Sequence, residues 1–202
     1  MDRENYTMLC DFYEFTMSNG YFQNGMKDQI CYFDVFFRSV PDSGSYAIAC
    51  GLEFVIDYIR NLKFTDEDIK YLESKNIFSK EFLDYLKDFK FSGDIYAVKE
   101  GSVVFPHEPL IVVKAKAIEA QLIETYLLLI MNHQSLIATK TNRIVRAANG
   151  RAVMEFGARR AQGSSASILG ARSAYIAGAI GTSNAQADRD YGVPAIGTMA
   201  HS

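Results

Sequence analysis

Apolar positions along the chain follow two styles, which change over near Gly150. Leu9, Phe12, Tyr13, Thr16 and Met17 recur at three- and four-residue intervals, so residues 6–19 read as a helix with Asn19-Gly20 as its stop. From Ile30 to Val40 the pattern alternates through Cys31, Phe33, Val35 and Phe37, which is the period of a strand. Pro41 to Gly44 is a turn. Leu52 to Leu62 places Phe54, Val55, Tyr58 and Ile59 on one helical face. Thr65 to Asp68 is a helix start, and Ser79 with Phe82 opens a further helix. Strands return at Ile95–Val98, Val103–Phe105 and Leu110–Ala115, separated by Glu100-Gly101 and by the turn from Pro106 to Pro109. One long helix is expected from Ile118 to Ala148, ending at Asn149-Gly150. Its middle is apolar on most faces, as in a helix buried between layers.

Beyond Gly150 the elements are shorter. Strands at Ala152–Phe156, Ala179–Gly181 and Ala195–Gly197 alternate with helices at Gln162–Gly178 and Asn184–Tyr191. Strand and helix in alternation mean βα units on a parallel sheet. The expected fold class is α/β: an α+β N-terminal domain over residues 1–117, then a long linking helix and the first βα units of an irregular, incomplete α/β barrel over 118–202. Three parallel strands cannot close a barrel.

Charge sharpens this division. The net charge of -3 hides an acidic first part and a basic tail. Residues 141–202 carry seven arginines, no lysine, and only Glu155, Asp188 and Asp190 as acids. Arginine without lysine suits planar, bidentate recognition of phosphate or carboxylate. A nucleic-acid groove would be more basic and would mix lysine with aromatics, so a small anionic ligand is expected and no nucleic acid. The longest apolar run, Tyr126 to Met131, is far short of the roughly 20 residues of a membrane span, so no membrane partner is expected. The N-terminus has early acids and no apolar core segment, unlike a secretory signal. Cys10, Cys31 and Cys50 are far apart and odd in number, which indicates neither a disulfide framework nor a zinc site. A reduced, cytoplasmic protein is the natural reading.

Each short strand of the tail runs into a polar, glycine-containing turn: EFGARRAQG from Glu155 to Gly163, GTSNAQAD from Gly181 to Asp188, and GTMAHS from Gly197 to Ser202. On a parallel sheet such turns share one rim, where α/β proteins place their chemistry. Arg159 and Arg160 can bind an anion, with one of them braced by Glu155, or they can form a surface pair salted to Glu155. Ser183 or Asn184 can cap the following helix, and that helix start can also meet phosphate. In GTMAHS, His201 lies beside Thr198 and Ser202, and its near-neutral pKa suits an acid, a base or a nucleophile. His107, between prolines, and His133, in the apolar helix, read as structural. DFYEFTM, Asp11 to Met17, sets two acids among aromatics on one helix. This is either a core stripe or a tyrosine offered to a flat ligand, even across a dimer.

Together these segments resemble the nicotinate phosphoribosyltransferases, of the type II phosphoribosyltransferase family. The shared motifs are D-x-Y-x-x-T-M at Asp11, Tyr13, Thr16 and Met17, E-F-G-x-R-R-A-Q-G at Glu155–Gly163, and G-T-M-A-H-S at Gly197–Ser202. GTSNAQAD matches more loosely, with Ala185 and Gln186 as variation. The resemblance implies ATP-dependent joining of nicotinate to phosphoribosyl pyrophosphate, with Mg2+, to give nicotinate mononucleotide and pyrophosphate for NAD synthesis. It implies that His201 is transiently phosphorylated, that Thr198 contacts nicotinate, and that Arg159 and Arg160 lie near the nicotinate and phosphate groups. It implies a homodimer with shared active sites, into which Tyr13 reaches from the neighbouring subunit. Ser183, Asn184 and Ser202 are expected at the same substrate-binding rim, with no protein side chains assigned as metal ligands.

Family members are much longer. The 202 residues are therefore expected to be an N-terminal fragment or one half of a split enzyme, inactive alone. The alternatives are a nicotinamide- or quinolinate-specific relative, and a non-catalytic truncated paralogue that only dimerises.

Overall fold

In the computed structural model residues 5–197 and Met199 are described. The elements run in the order α1 (Phe12–Gln23), β1 (Ile30–Phe36), β2 (Ala47–Ile48), α2 (Leu52–Asn61), α3 (Asp66–Glu73), α4 (Lys80–Lys87), β3 (Asp94–Ala97), β4 (Val103–Val104), β5 (Pro109–Lys116), α5 (Ala117–Gln121), α6 (Glu124–Ala147), a 3-10 turn (Ala158–Arg160), α7 (Ser164–Ile176) and α8 (Ala185–Tyr191). Mixed helices and open sheets make the fold class α/β.

The chain forms two compact units interleaved in sequence, where one boundary at 117/118 was expected. The first comprises residues 1–35, 53–97 and 109–129; the second comprises 36–52, 98–108 and 130–202. In the first unit β1, β5 and β3 form a sheet with β5 central, and Ile95 pairs with Val113 in the antiparallel β3–β5 ladder. Its core joins Phe15 of α1 to Phe64, Leu72, Phe82, Leu86 and Phe89 of the helical stretch and to Ile118 and Leu122. The α3 start is a full capping box: Thr65 accepts the Asp68 N–H and Asp68 accepts the Thr65 N–H. Ser79 caps α4 through the Phe82 N–H.

Several expectations change here. Helix α1 begins at Phe12 and runs through Asn19-Gly20 to Gln23. Asn19 is buried with its side-chain oxygen taken up by Ser79, so the pair does not stop the helix. The first strand ends at Phe36, short of Val40. The single helix expected over 118–148 is two helices, α5 and α6, broken at Leu122-Ile123. Nor is α6 buried all round. Tyr126, Leu127, Ile130, Met131 and Ala138 are buried, while Leu128, Leu129 and Ile144 are exposed. The stop at Asn149-Gly150 does occur, with both residues at positive φ.

In the second unit β2 and β4 pair antiparallel. Small side chains dominate its packing: Cys50, Ala138 and Ala177 with Ile48, and Ala171 and Ala187 with Val193. The three short strands expected after Gly150 are present in minimal form. Glu155, Thr182 and Ala195 form two parallel bridges, with Thr182 in the middle. Backbone bonds extend the pattern on both sides: Ile180 to Val153, Glu155 to Gly181 and Ser183 to Glu155, then Thr182 to Pro194 and Ile196 to Thr182. Gly181 permits this approach, because a Cβ there would overlap the Pro194 carbonyl oxygen and the Ile196 side chain.

Candidate functional site at the parallel strand ends

The rim expected from the sequence assembles around Glu155 and Thr182. Thr182 is fully buried, and its hydroxyl donates to Glu155 Oε2 at 2.6 Å. The other carboxylate oxygen accepts the Gly157 N–H, which folds the EFGARRAQG turn back onto its own strand. Neither guanidinium of the arginine pair bonds to this carboxylate, contrary to the braced or salted readings. Arg159 and Arg160 sit exposed at the end of the 3-10 turn, with no hydrogen-bond or ion-pair partner among the described residues. Gly163 follows at φ 108, a backbone region that a side chain would strain, and it starts α7 without a side-chain cap. The first N–H groups of α7 therefore lie close in sequence to two cations unpaired among the described residues.

In the second turn Asn184, not Ser183, is the cap. Its side-chain oxygen accepts from the Gln186 and Ala187 N–H groups, its amide donates to Ser167, and its own N–H donates to Thr182 Oγ1. Those helix-start donors are engaged internally. Ser183 is exposed beside them. Of the third turn, Gly197 and Met199 are described, and Met199 is almost fully exposed. Thr198, His201 and Ser202 lie outside the described residues.

Arg172 of α7 forms a two-pronged ion pair with Glu100, at 3.1 and 2.8 Å. Glu100 also accepts the Gly51 N–H at 2.6 Å. Burial pushes the Glu100 carboxyl up, but the Arg172 guanidinium and the Gly51 and Leu52 N–H groups outweigh it and hold it below its ordinary value. His107 occupies a positive-φ turn with its ring beside Phe36, a structural placement. His133 lies within α6, half-buried.

In the other unit DFYEFTM splits by helical face. Phe15 is core, whereas Phe12, Tyr13 and Met17 are exposed. The Tyr13 hydroxyl donates to Glu124 at 3.0 Å and is pushed up to about 12 by desolvation and by that carboxylate. Glu14 is fully buried and accepts from the Thr125 hydroxyl, the Thr125 N–H and the Cys10 thiol, so it caps the start of α6 from outside the helix. Burial raises its carboxyl above the ordinary 4.5, although the Cys10 and Thr125 bonds pull it down. A raised carboxyl contributes stability that is full below 4.5 and is lost as pH rises through the folded value. Glu14→Gln keeps an acceptor for Thr125 and removes that loss. Urea unfolding across a pH series is expected to show the variant gaining on the parent as pH rises; parallel curves would contradict the assignment.

A family model for the nicotinate phosphoribosyltransferase (NAPRTase) N-terminal domain matches residues 8–132, more than half of the chain. The chain belongs to the nicotinate phosphoribosyltransferase family. It is 45% identical over 195 residues to nicotinate phosphoribosyltransferase pncB2 of Mycobacterium tuberculosis, covering 96% of this chain and 42% of that protein. It is 41% identical over 199 residues to the Bacillus subtilis nicotinate phosphoribosyltransferase, covering 98% and 41%. The crystal structure of human nicotinic acid phosphoribosyltransferase superposes with a TM-score of 0.87 at 33% identity, covering 95% of this chain and 39% of that one. The chain thus spans about two fifths of the length of these relatives. The rim lies beyond the family-model match but within the stretch aligned to the relatives.

Sequence reasoning placed Glu155, Arg159, Arg160, Ser183 and Asn184 on one rim; the structure bonds Glu155 to Ser183 through the backbone and sets Arg159 and Arg160 in the turn that follows Glu155. It missed Thr182 as the hub, the Glu100–Arg172 pair, and Glu14 as a cap. The only sequence signal for these was a charge or hydroxyl inside an otherwise apolar or small-residue stretch.

Proposed function

We propose that this chain carries the arginine-bearing rim of a nicotinate phosphoribosyltransferase. That enzyme joins nicotinate to phosphoribosyl pyrophosphate and yields nicotinate mononucleotide and pyrophosphate, the entry of nicotinate into NAD synthesis. The observation that carries the reading is the row of three parallel strand ends with two arginines, unpaired among the described residues, followed by a helix start without a side-chain cap. Substrate and leaving group are both anionic. Guanidinium groups and free N–H groups at a helix N-terminus offset charge that develops on a departing pyrophosphate. In this reading Arg159 and Arg160 hold the carboxylate or phosphate groups, and Ser183 lines the rim beside the Asn184 cap. On the same reading the GTMAHS turn brings Thr198 and Ser202 to substrate and His201 to transient phosphorylation by ATP, as its resemblance to the family motif implies.

Among the described residues no group of three or more His, Cys, Asp or Glu side chains is placed to hold a metal ion. The Mg2+ of this reading would arrive on the phosphates of its substrates, the usual habit of that ion. The exposed α1 residues Phe12, Tyr13 and Met17, with Leu9 just before the helix, support a homodimer with shared sites, its occupant being a second copy of the chain. Three free cysteines fit a reducing, cytoplasmic setting. No helix among the described residues is long and apolar enough to cross a membrane.

Nucleotide formation from nicotinate, phosphoribosyl pyrophosphate and ATP by the complete enzyme that carries this chain tests the reading. Preference for nicotinamide or quinolinate in competition would overturn it. Arg159→Ala and Arg160→Ala are each expected to lower kcat/KM by about 10- to 100-fold, the loss of a charge-assisted hydrogen bond. Unchanged kinetics in both variants would remove the arginine pair from the site.

A further inference from the structure

Among the described residues the arginine pair has no partner, and its nearest carboxylate in sequence is bound elsewhere. Glu155 is bound to the second strand three times: by its N–H to Gly181, by its carbonyl from Ser183, and by its side chain from Thr182. Its remaining carboxylate oxygen holds the Gly157 N–H, two residues before Arg159. Thr182 in turn binds the third strand through Pro194 and Ile196, and its hydroxyl oxygen receives the Asn184 N–H at 3.1 Å. One buried hydroxyl and one carboxylate therefore link the first two turns of the rim, and the Thr182 backbone joins them to the third strand.

We infer that Glu155 and Thr182 are a positioning pair that sets the EFGARRAQG turn against the GTSNAQAD turn and keeps Arg159 and Arg160 available to an anion. The inference rests on the anion-binding reading of the rim, but it assigns a role to residues that need not touch ligand. Thr182 is wholly buried, so it has no surface with which to touch a ligand. Any effect of its hydroxyl on anion affinity must pass through the turns it holds. Removing it unpairs Glu155 Oε2 and the Asn184 N–H together, and an unmade buried hydrogen bond weakens whatever depends on the geometry.

The test is calorimetric titration of inorganic pyrophosphate into the 202-residue chain, with urea unfolding and amide exchange run in parallel. Thr182→Val matches the parent in shape and lacks the hydroxyl. It is expected to weaken pyrophosphate about tenfold, while Thr182→Ser, which restores the hydroxyl, retains parental affinity. Glu155→Gln keeps an acceptor for Gly157 and a partner for Thr182, and is expected to fall between these and to serve if Thr182→Val does not fold. Faster exchange at the Gly157 and Asn184 amides in Thr182→Val, with global unfolding little changed, accompanies the expected result. Arg159→Ala and Arg160→Ala separate the two layers of the argument. Pyrophosphate binding that neither arginine variant reduces overturns the anion-site reading itself. Arginine-dependent binding that Thr182→Val leaves at full strength overturns the positioning role alone. A loss of affinity that Thr182→Ser fails to rescue also overturns it.

Discussion

Arg172→Met is expected to lower the stability of the chain by about 3–5 kcal/mol at neutral pH, the usual cost of removing one partner of a buried pair. Both side chains are largely shielded from water, at 11% and 20% exposure. Without Arg172, the Glu100 carboxylate keeps the Gly51 and Leu52 N–H groups and the Cys50 thiol as partners but loses its only cation among the described residues. The pH dependence has a definite sign. Glu100 is held below its ordinary 4.5, so the pair contributes fully above that value, and the contribution is lost as pH falls through the depressed folded value. The deficit of Arg172→Met relative to the parent should therefore be large at neutral pH and shrink in acid, where Glu100 is protonated in both. Urea unfolding at neutral and acidic pH measures it. A deficit that is small at neutral pH, or constant with pH, would show that the pair is not what holds α7 to the Glu100 loop.

Phe82→Ala is expected to cost about 3–5 kcal/mol, from lost transfer free energy and the cavity left behind. Phe82 is completely buried, with ring centroids of Phe22 and Phe78 each at 5.9 Å and of Tyr85 at 6.4 Å. Those rings come from α1, from the α3–α4 connection and from α4, so one deletion loosens three segments of the first unit. Phe82→Leu refills part of the volume and should recover more than half of the loss. Unfolding followed by tyrosine fluorescence, with amide exchange read separately over residues 53–97, checks both. An alanine variant within about 1 kcal/mol of the parent would contradict the packing.

These two sites differ in how far the sequence announces them. The Phe82 core follows from local rules. Apolar residues repeat at helical spacing, and the Thr65 and Ser79 caps obey the side-chain preferences of helix starts. The Glu100–Arg172 pair joins residues 72 positions apart, and no local pattern couples them. The same holds at the rim. Three polar turns after three short apolar runs announce that a parallel edge carries chemistry. Which oxygen bonds which turn is a matter of register, and the strands are only a bridge wide. That is why the carboxylate expected to brace an arginine instead binds a buried threonine.

The errors at Asn19-Gly20 and at Leu122-Ile123 have one cause. Asn and Gly end helices when nothing else claims them, but burying Asn19 against Ser79 keeps the turn helical. An unbroken apolar run reads as one helix until a partner intervenes. Glu14 and Cys10 bond the groups around residues 122–125, so a fresh helix starts there.

Local periodicity, capping residues, arginine-only basicity and three motifs were enough to determine the α/β class, most helix starts and the family. These depend on neighbours within a few positions, where side-chain chemistry and backbone preference act directly. Tertiary structure alone decided the interleaving of the two units, the break between α5 and α6, the placement of Tyr13 beside Glu124, and the union of Glu155 with Thr182 in place of an arginine. Each of these matches a buried polar group to a partner distant in sequence. The free energy of leaving such a group unpaired depends on where the whole chain places it, not on its neighbours.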